Sequence, residues 1–225
     1  MGILDENSPP RADTDLEGVT KFSLRYKKSA PLPAARLTEL KTWRRTLFDL
    51  GLIGEERTAQ GAIGFGNISA RLTQPHGRAD AFVITATQTG HKPRLSPKDY
   101  SIVTQWDLDA FWIEAEGPAR PSSESLTHAI LYATLPTVRF VFHIHSPDIW
   151  SQALTLGLPT TDPRTPYGTP QIAHEVRMLL ATFENPQAGL LAMGGHKDGI
   201  ISFGTTSELA GQTLLQTLAR ARAYL

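Results

Sequence analysis

The sequence predicts a single α/β domain, an α/β/α sandwich in which helices flank a central, mainly antiparallel sheet. Three observations predict it. The chain has 225 residues, enough for one domain with a substantial core. Its hydrophobic fraction is 40% and its charged fraction 20%, as in an ordinary folded domain. Segments of helical period alternate with segments of strand period along nearly the whole length.

Residues 1 to about 20 are polar, include Pro9 and Pro10, and read as a tail. "KFSLRYKKSA" alternates Phe22, Leu24 and Tyr26, as a short edge strand does. "LTELKTWRRTLFDLGLIG" places apolar residues at 37, 40, 43, 47 and 50, a helical spacing, and Gly51 stands where a helix stop belongs. "NISARL", "AFVIT", "SIVTQWDL" and "AFWIEAEG" read as strands. "SSESLTHAILYATLP" reads as a helix capped by Ser122 or Ser123 and closed before Pro136. "RFVFHIHS" follows as a buried strand. In the second half, Thr169 caps a helix with Pro170 at its first position and Ile172, Val176, Leu179 and Phe183 on one face. "GLLAM" and "GIISFG" are short strands. The last helix opens on Thr205 with Glu208 three residues later, the spacing of a capping box.

Composition narrows the function. Lys+Arg is 22 and Asp+Glu is 22, a zero balance that points to neither a nucleic-acid nor an acidic-membrane partner. The chain has no cysteine, so any metal must be held by histidine, carboxylate and water. No apolar stretch is long enough to span a bilayer. The N-terminus lacks the apolar core of a signal peptide, and Glu6 stands where a myristoylation signal needs Ser or Thr. The expected location is cytoplasmic.

The chemistry concentrates in "FVFHIHSPDIW". Alternate strand residues share a face, so His143 and His145 point together, spaced to grip one ion. A catalytic metal site needs three protein ligands and an open position. Among the other histidines, His76 reads as part of a surface turn, and His128 and His174 lie on helices, where a structural or exposed role is expected. His196 differs. It follows two glycines in "MGGHKDG", between two strands, where glycine lets a loop come close and aim one side chain. It is the candidate third ligand. Glu124 opens the helix before the His-x-His strand, with Ser122 and Ser123 just ahead of it. A helix N-terminus with two hydroxyls is an anion site. Glu124 is therefore either a cap or, near a metal, a ligand or base. "GFGNIS", with Gly64, Gly66 and Asn67, and "TATQTG", with Thr89 and Gly90, are two further polar turns.

The order of these motifs, Gly-x-Gly-Asn-x-Ser, a Thr-rich turn with Gly, Ser-Ser-Glu, His-x-His and a late Gly-His, resembles the class II aldolase/adducin family from about residue 37 to the C-terminus. "YGTP" before the penultimate helix is a further family feature. The resemblance implies one divalent metal ion per chain, zinc first and manganese, cobalt or iron as alternatives, held by His143, His145 and His196. It implies that Glu124 is the acid/base residue, and that Asn67, Thr89, Gly90, Ser122 and Ser123 line a pocket for the anionic end of a small-molecule substrate. It implies an aldolase-type lyase acting on a hydroxy-carbonyl compound through a metal-stabilised enediolate, in a homotetramer. Epimerase, dehydratase and decarboxylase reactions suit the same scaffold, and a non-catalytic adducin-like interaction module is the reading from another class. Residues 1–36 have no counterpart in compact members, so they read as an extension to a domain of residues 37–225. Lys197 and Asp198 separate the late histidine from Gly199, where the family usually has Gly directly. "LGLPTTDPRTPYGTP" lacks the tyrosine that aldolase members use as proton donor. Tyr167 belongs to the "YGTP" feature and is a poor substitute; Tyr224 is another candidate donor.

Overall fold

The structure is a computed structural model that describes residues 22–58, 61–72, 81–184 and 186–225. The polar tail and His76 lie outside the described residues. Eight strands form one sheet in the order β1-β7-β6-β5-β4-β8-β10-β9. They are β1 (Ser23–Lys28), β4 (Asn67–Arg71), β5 (Phe82–Thr85), β6 (Tyr100–Asp107), β7 (Trp112–Gly117), β8 (Phe140–His145), β9 (Ala188–Ala192) and β10 (Gly199–Gly204). All neighbours pair antiparallel except β1, which lies parallel to β7 at the edge, so the segment before residue 37 contributes a strand to the sheet. A separate hairpin pairs β2 (Gly54–Thr58) with β3 (Gly61–Phe65). The sequence reading missed this hairpin.

Helices cover both faces. α1 (Thr38–Asp49), α3 (Pro147–Ser151) and α5 (Ser207–Arg222) pack on one side, and α2 (Ser125–Thr134) and α4 (Pro170–Leu180) on the other. Each side has its own apolar core. Phe142 and Ile144 of β8 join Leu40, Leu47 and Leu214 in one, while Val141 joins Ala129, Ile130 and Val176 in the other. Alternate residues of β8 thus face opposite layers, as pleating requires. The predicted α/β/α sandwich with a mainly antiparallel sheet is the observed architecture.

Three details of the helices differ from the sequence reading. The cap of α2 is Glu124, not Ser122 or Ser123; Ser122 Oγ instead accepts the Glu124 N–H at 3.2 Å. The cap of α5 is Thr206, whose hydroxyl accepts the Leu209 N–H, while the Thr205 hydroxyl bonds the Gln187 side chain. On α1 the buried positions are Leu40, Arg44 and Leu47, with Leu37 buried just before it, and Leu50, just after it, is 43% exposed. A buried arginine thus stands one turn beyond Leu40, in the apolar stripe itself.

Candidate metal centre

His143 and His145 sit at the end of β8 on the face of Val141, towards α2 and α4. His196 comes from the turn joining β9 to β10. Its carbonyl accepts the Gly199 N–H at 2.8 Å, and the Asp198 carbonyl accepts the Ser146 N–H at 2.8 Å, which ties the turn to the end of β8. Lys197 and Asp198, between His196 and Gly199, form the bend, with Asp198 in the left-handed region at φ 62°. Gly195 allows the approach from the other side. A Cβ there would lie 1.7 Å from the Thr165 carbonyl oxygen, so only glycine lets residues 165–167 close over this turn.

One nitrogen from each of the three imidazoles lies within 4.8 Å of the others. His143 is 1% exposed and His196 4%. His143 Nδ1 donates to the Ile200 carbonyl at 3.3 Å, which leaves Nε2 as the bare lone pair, buried and without a hydrogen-bond partner. Burial, then the proximity of His196, His145 and His128, holds the His143 pKa well below the usual imidazole value. A buried, neutral imidazole with its other nitrogen fixed by a carbonyl is the state a metal ligand needs. The donor set therefore fits a divalent ion that accepts nitrogen ligands. Two aromatic rings brace it. Tyr167 stacks on His196 with centroids 4.3 Å apart, and Phe65 of β3 stacks on His145 at 5.0 Å. A cleft of ≈ 350 Å³ opens onto His145 and His196, with Glu56, Arg164 and Lys197 on its walls. Phe65, Glu56 and Arg164 were not singled out from sequence, and Lys197 only for its place between His196 and Gly199.

The polar turns of the sequence converge on a second, smaller pocket beside the histidines. Asn67, the first residue of β4, stands directly opposite His143 on β8 and shares its face. Side chains tie helix α2 to β4. His128 Nδ1 lies 2.6 Å from Ser69 Oγ, Tyr132 OH lies 2.7 Å from the same oxygen, and Arg71 donates to the Tyr132 carbonyl at 2.6 Å. Glu124, the cap residue of α2, stands four residues before His128, and Asn67 two residues before Ser69. Glu124 lines the pocket together with Gly64, Asn67, Thr89, Gly90, Ser122 and Ser123. Glu124 is 5% exposed, and its carboxylate caps no helix N–H; Oε2 accepts the Thr127 hydroxyl at 3.1 Å. Asn67 Oδ1 is buried without a hydrogen-bond partner. Every residue selected from the sequence for the metal or the pocket is therefore in one of two adjoining places. His174 is exposed on α4, as expected for it. Tyr224, the alternative proton donor, is 58% exposed near the C-terminus, beyond the end of α5.

The model of the class II aldolase and adducin N-terminal domain matches residues 56–221. The chain belongs to the class II aldolase and adducin family. A methylthioribulose-1-phosphate dehydratase from Acidiphilium cryptum (strain JF-5) is 35% identical over 147 residues, covering 62% of this chain and 64% of its own length. One from Methylococcus capsulatus is 33% identical over 110 residues, 49% of this chain and 48% of its own. The chain thus spans from about half to just under two thirds of the length of these curated relatives. Two solved structures share the family fold. An L-fuculose 1-phosphate aldolase superposes with TM-score 0.62 at 19% identity, over 86% of each chain. The L-fuculose-1-phosphate aldolase of Thermus thermophilus gives 0.57 at 23% identity, over 85% of this chain and 93% of the other. Among the described residues no helix is long and apolar enough to cross a membrane.

Proposed function

We propose that this member of the family is a divalent-metal-dependent lyase acting on a small hydroxy-carbonyl compound with a phosphate or other anionic end. The observation that carries the reading is the pairing of Asn67 with His143 across β4 and β8, which sets the anion pocket against the three-histidine cluster. In this reading His143, His145 and His196 hold the ion, zinc first by their chemistry, with manganese, cobalt or iron also suited to imidazole and oxygen ligands. When bound, the ion supplies Lewis-acid polarisation of a carbonyl and favours negative charge on its oxygens.

The chain's own residues do the rest. Asn67, Ser122, Ser123 and the Thr89–Gly90 turn hold the anionic end. The α2 N-terminus adds the partial positive charge of its free N–H groups. Glu124, at the pocket wall, removes a proton from substrate carbon or oxygen and returns it at the end of the reaction. Its freedom from capping leaves the carboxylate available for that task. The burial of His143, Glu124 and Asn67 keeps water from competing for the same groups.

Aldol cleavage and water loss both begin from such a site, and the name of the curated relatives favours the second. We accordingly rank dehydration of a methylthio-pentulose phosphate beside aldol cleavage of a deoxy-sugar phosphate, ahead of epimerisation or decarboxylation. The working protein is read as a cytoplasmic homotetramer of carbohydrate metabolism, its metal-binding domain being residues 37–225. The test is metal analysis of purified protein, followed by incubation with methylthioribulose 1-phosphate and with L-fuculose 1-phosphate. Loss of water from the first, or release of an aldehyde from the second, supports the lyase reading. A metal-loaded protein that turned over neither these nor a wider set of sugar phosphates would return the chain to a non-catalytic interaction role.

A further inference from the structure

We propose that Arg44 is a positioning residue that presents the Thr89–Gly90 turn to an anion from behind. The inference rests on the anion-pocket reading above and adds to it a residue outside the pocket. Arg44 lies on α1, 2% exposed, in a helical stripe otherwise made of leucines. Its Nη2 donates to the carbonyls of Thr89 at 3.0 Å, Gly90 at 3.1 Å and Lys92 at 3.0 Å. A nitrogen with two hydrogens serves three acceptors, so the donors are shared and the whole turn gathers around one cation. The guanidinium keeps its charge at neutral pH, because burial lowers its pKa only to about 10.

The geometry of the peptide unit gives this clamp a consequence on the other side. No described peptide bond is cis. In a trans peptide the C=O of one residue and the N–H of the next point in opposite directions. Drawing the Thr89 and Gly90 carbonyls onto Arg44 therefore turns the N–H groups of Gly90 and His91 away from it. No described carbonyl accepts either N–H. The Gly90 nitrogen lies beside Gly64, which lines the same pocket as Asn67 and Ser122. A Cβ on Gly64 would stand 3.1 Å from that nitrogen, so the absence of side chains at Gly64 and Gly90 lets the hairpin backbone pack this closely on the turn. Gln88, just before the turn, is held in the left-handed region at φ 56°, the kind of backbone bend that groups N–H donors into an anion-binding concavity. Arg44 itself lines a different cleft, between α1 and Pro93–Leu95, together with Lys41 and Arg94. Its effect on the pocket therefore runs through the peptide dipoles of the turn, not through contact with the ligand.

The experiment uses inorganic phosphate as the probe, titrated calorimetrically into metal-loaded full-length protein, with thermal midpoint and metal content measured on each preparation. Arg44→Met is expected to weaken phosphate binding about tenfold, the size of one lost charge-assisted hydrogen-bond set, with metal content unchanged. Arg44→Lys, which keeps the charge and three donors, is expected to recover to within about threefold of the parent. Lys41→Ala, in the rear cleft but without contact to the turn, is expected to change nothing. Unaltered binding in Arg44→Met overturns the proposal, as does an equal loss in Lys41→Ala, which would mark a general field effect. Should Arg44→Met fail to fold, hydrogen exchange of the 88–92 peptide in the parent protein decides: phosphate is expected to slow it, and no slowing overturns the proposal. A parent protein that binds metal but no phosphate at all removes the anion pocket itself, a different result from a pocket that binds equally well without Arg44.

Discussion

The ring of Tyr167 lies flat on the ring of His196, centroids 4.3 Å apart and planes within 19° of parallel. The contact fixes an imidazole that comes from a turn, whereas His143 and His145 are fixed by a strand. Stacked rings contribute about 0.5–1.5 kcal/mol beyond the area they bury, or roughly two- to tenfold in an equilibrium constant. Tyr167→Ala is accordingly expected to weaken metal binding by that factor, and Tyr167→Phe to leave it near normal. Competition with a chromogenic chelator measures both. Equal weakening in the two variants would place the effect in the hydroxyl instead of the ring.

Glu124 separates a structural from a chemical role within one substitution. Its carboxylate caps no backbone N–H, so Glu124→Gln removes little from the helix end. A positioned acid/base group contributes ~10²–10⁴-fold in rate. Turnover is expected to fall at least ~100-fold while metal content and thermal midpoint hold. Joint loss of metal and turnover would reassign Glu124 as mainly a ligand.

Removal of metal tests the histidine cluster. An ion that binds only the folded chain stabilises it by about 2.7 kcal/mol when present at one hundred times its dissociation constant. Chelation is expected to lower the thermal midpoint of the parent protein. His196→Ala is expected to bind no ion tightly and to show the same midpoint with or without chelator. Full occupancy in that variant would exclude His196 as a ligand.

Acid stability follows from His128. The ring is wholly buried against Ser69, and burial lowers its pKa to about 3. An unfolded histidine titrates near 6.5, so between these values the unfolded chain binds the extra proton and the folded chain does not. Stability is therefore complete above about pH 6.5 and falls as pH drops towards 3, by ~1.4 kcal/mol per unit for this one group. Urea midpoints taken from pH 7 to pH 4 are expected to decline faster in the parent than in His128→Asn, which has no proton to gain. Parallel declines would locate the acid sensitivity elsewhere.

Gly195 marks where the histidine turn touches the segment 165–167. An alanine methyl would lie 1.7 Å from the Thr165 carbonyl oxygen, on backbone that no side-chain rotation can relieve. Gly195→Ala is expected to lower stability by about 1–3 kcal/mol and to reduce metal retention, since Tyr167 and His196 must separate. Thermal denaturation with metal analysis checks both effects.

The sheet was legible wherever a strand alternates or runs apolar. "FVFHIHS", "AFVIT" and "GIISFG" declare themselves because β-branched and aromatic side chains dominate them. The β2–β3 hairpin was not legible: "GEERT" and "GAIGF" bring few apolar residues, and the two strands pair with each other outside the main sheet. That omission also hid Phe65 against His145. The histidines and Glu124 were readable because their residue types are costly to bury without a purpose. Arg44 left a signal of its own. The spacing Leu37, Leu40, Arg44, Leu47 is more regular than the one through Trp43 and Leu50, and a cation on an apolar stripe asks for a partner. Sequence alone cannot supply the three carbonyls, which belong to a turn 45 to 48 residues away.

Strand β8 is the seam of the molecule. On one side lies β4, the end of the meander β4-β5-β6-β7 whose strands are consecutive in the chain; on the other lies β10, which arrives last. The meander can zip from local contacts, but β8 gains both neighbours only when the beginning and the end of the chain have found each other. Asn67 reaches His143 through the first junction, and Ile200 fixes the His143 ring through the second. A chain that stops short of β10 keeps His196 but lacks the strand that pairs with β8 and the Ile200 carbonyl that orients the His143 ring. Any ion the cluster takes would therefore need both ends of the chain in place, and its occupancy would report that the sheet has closed.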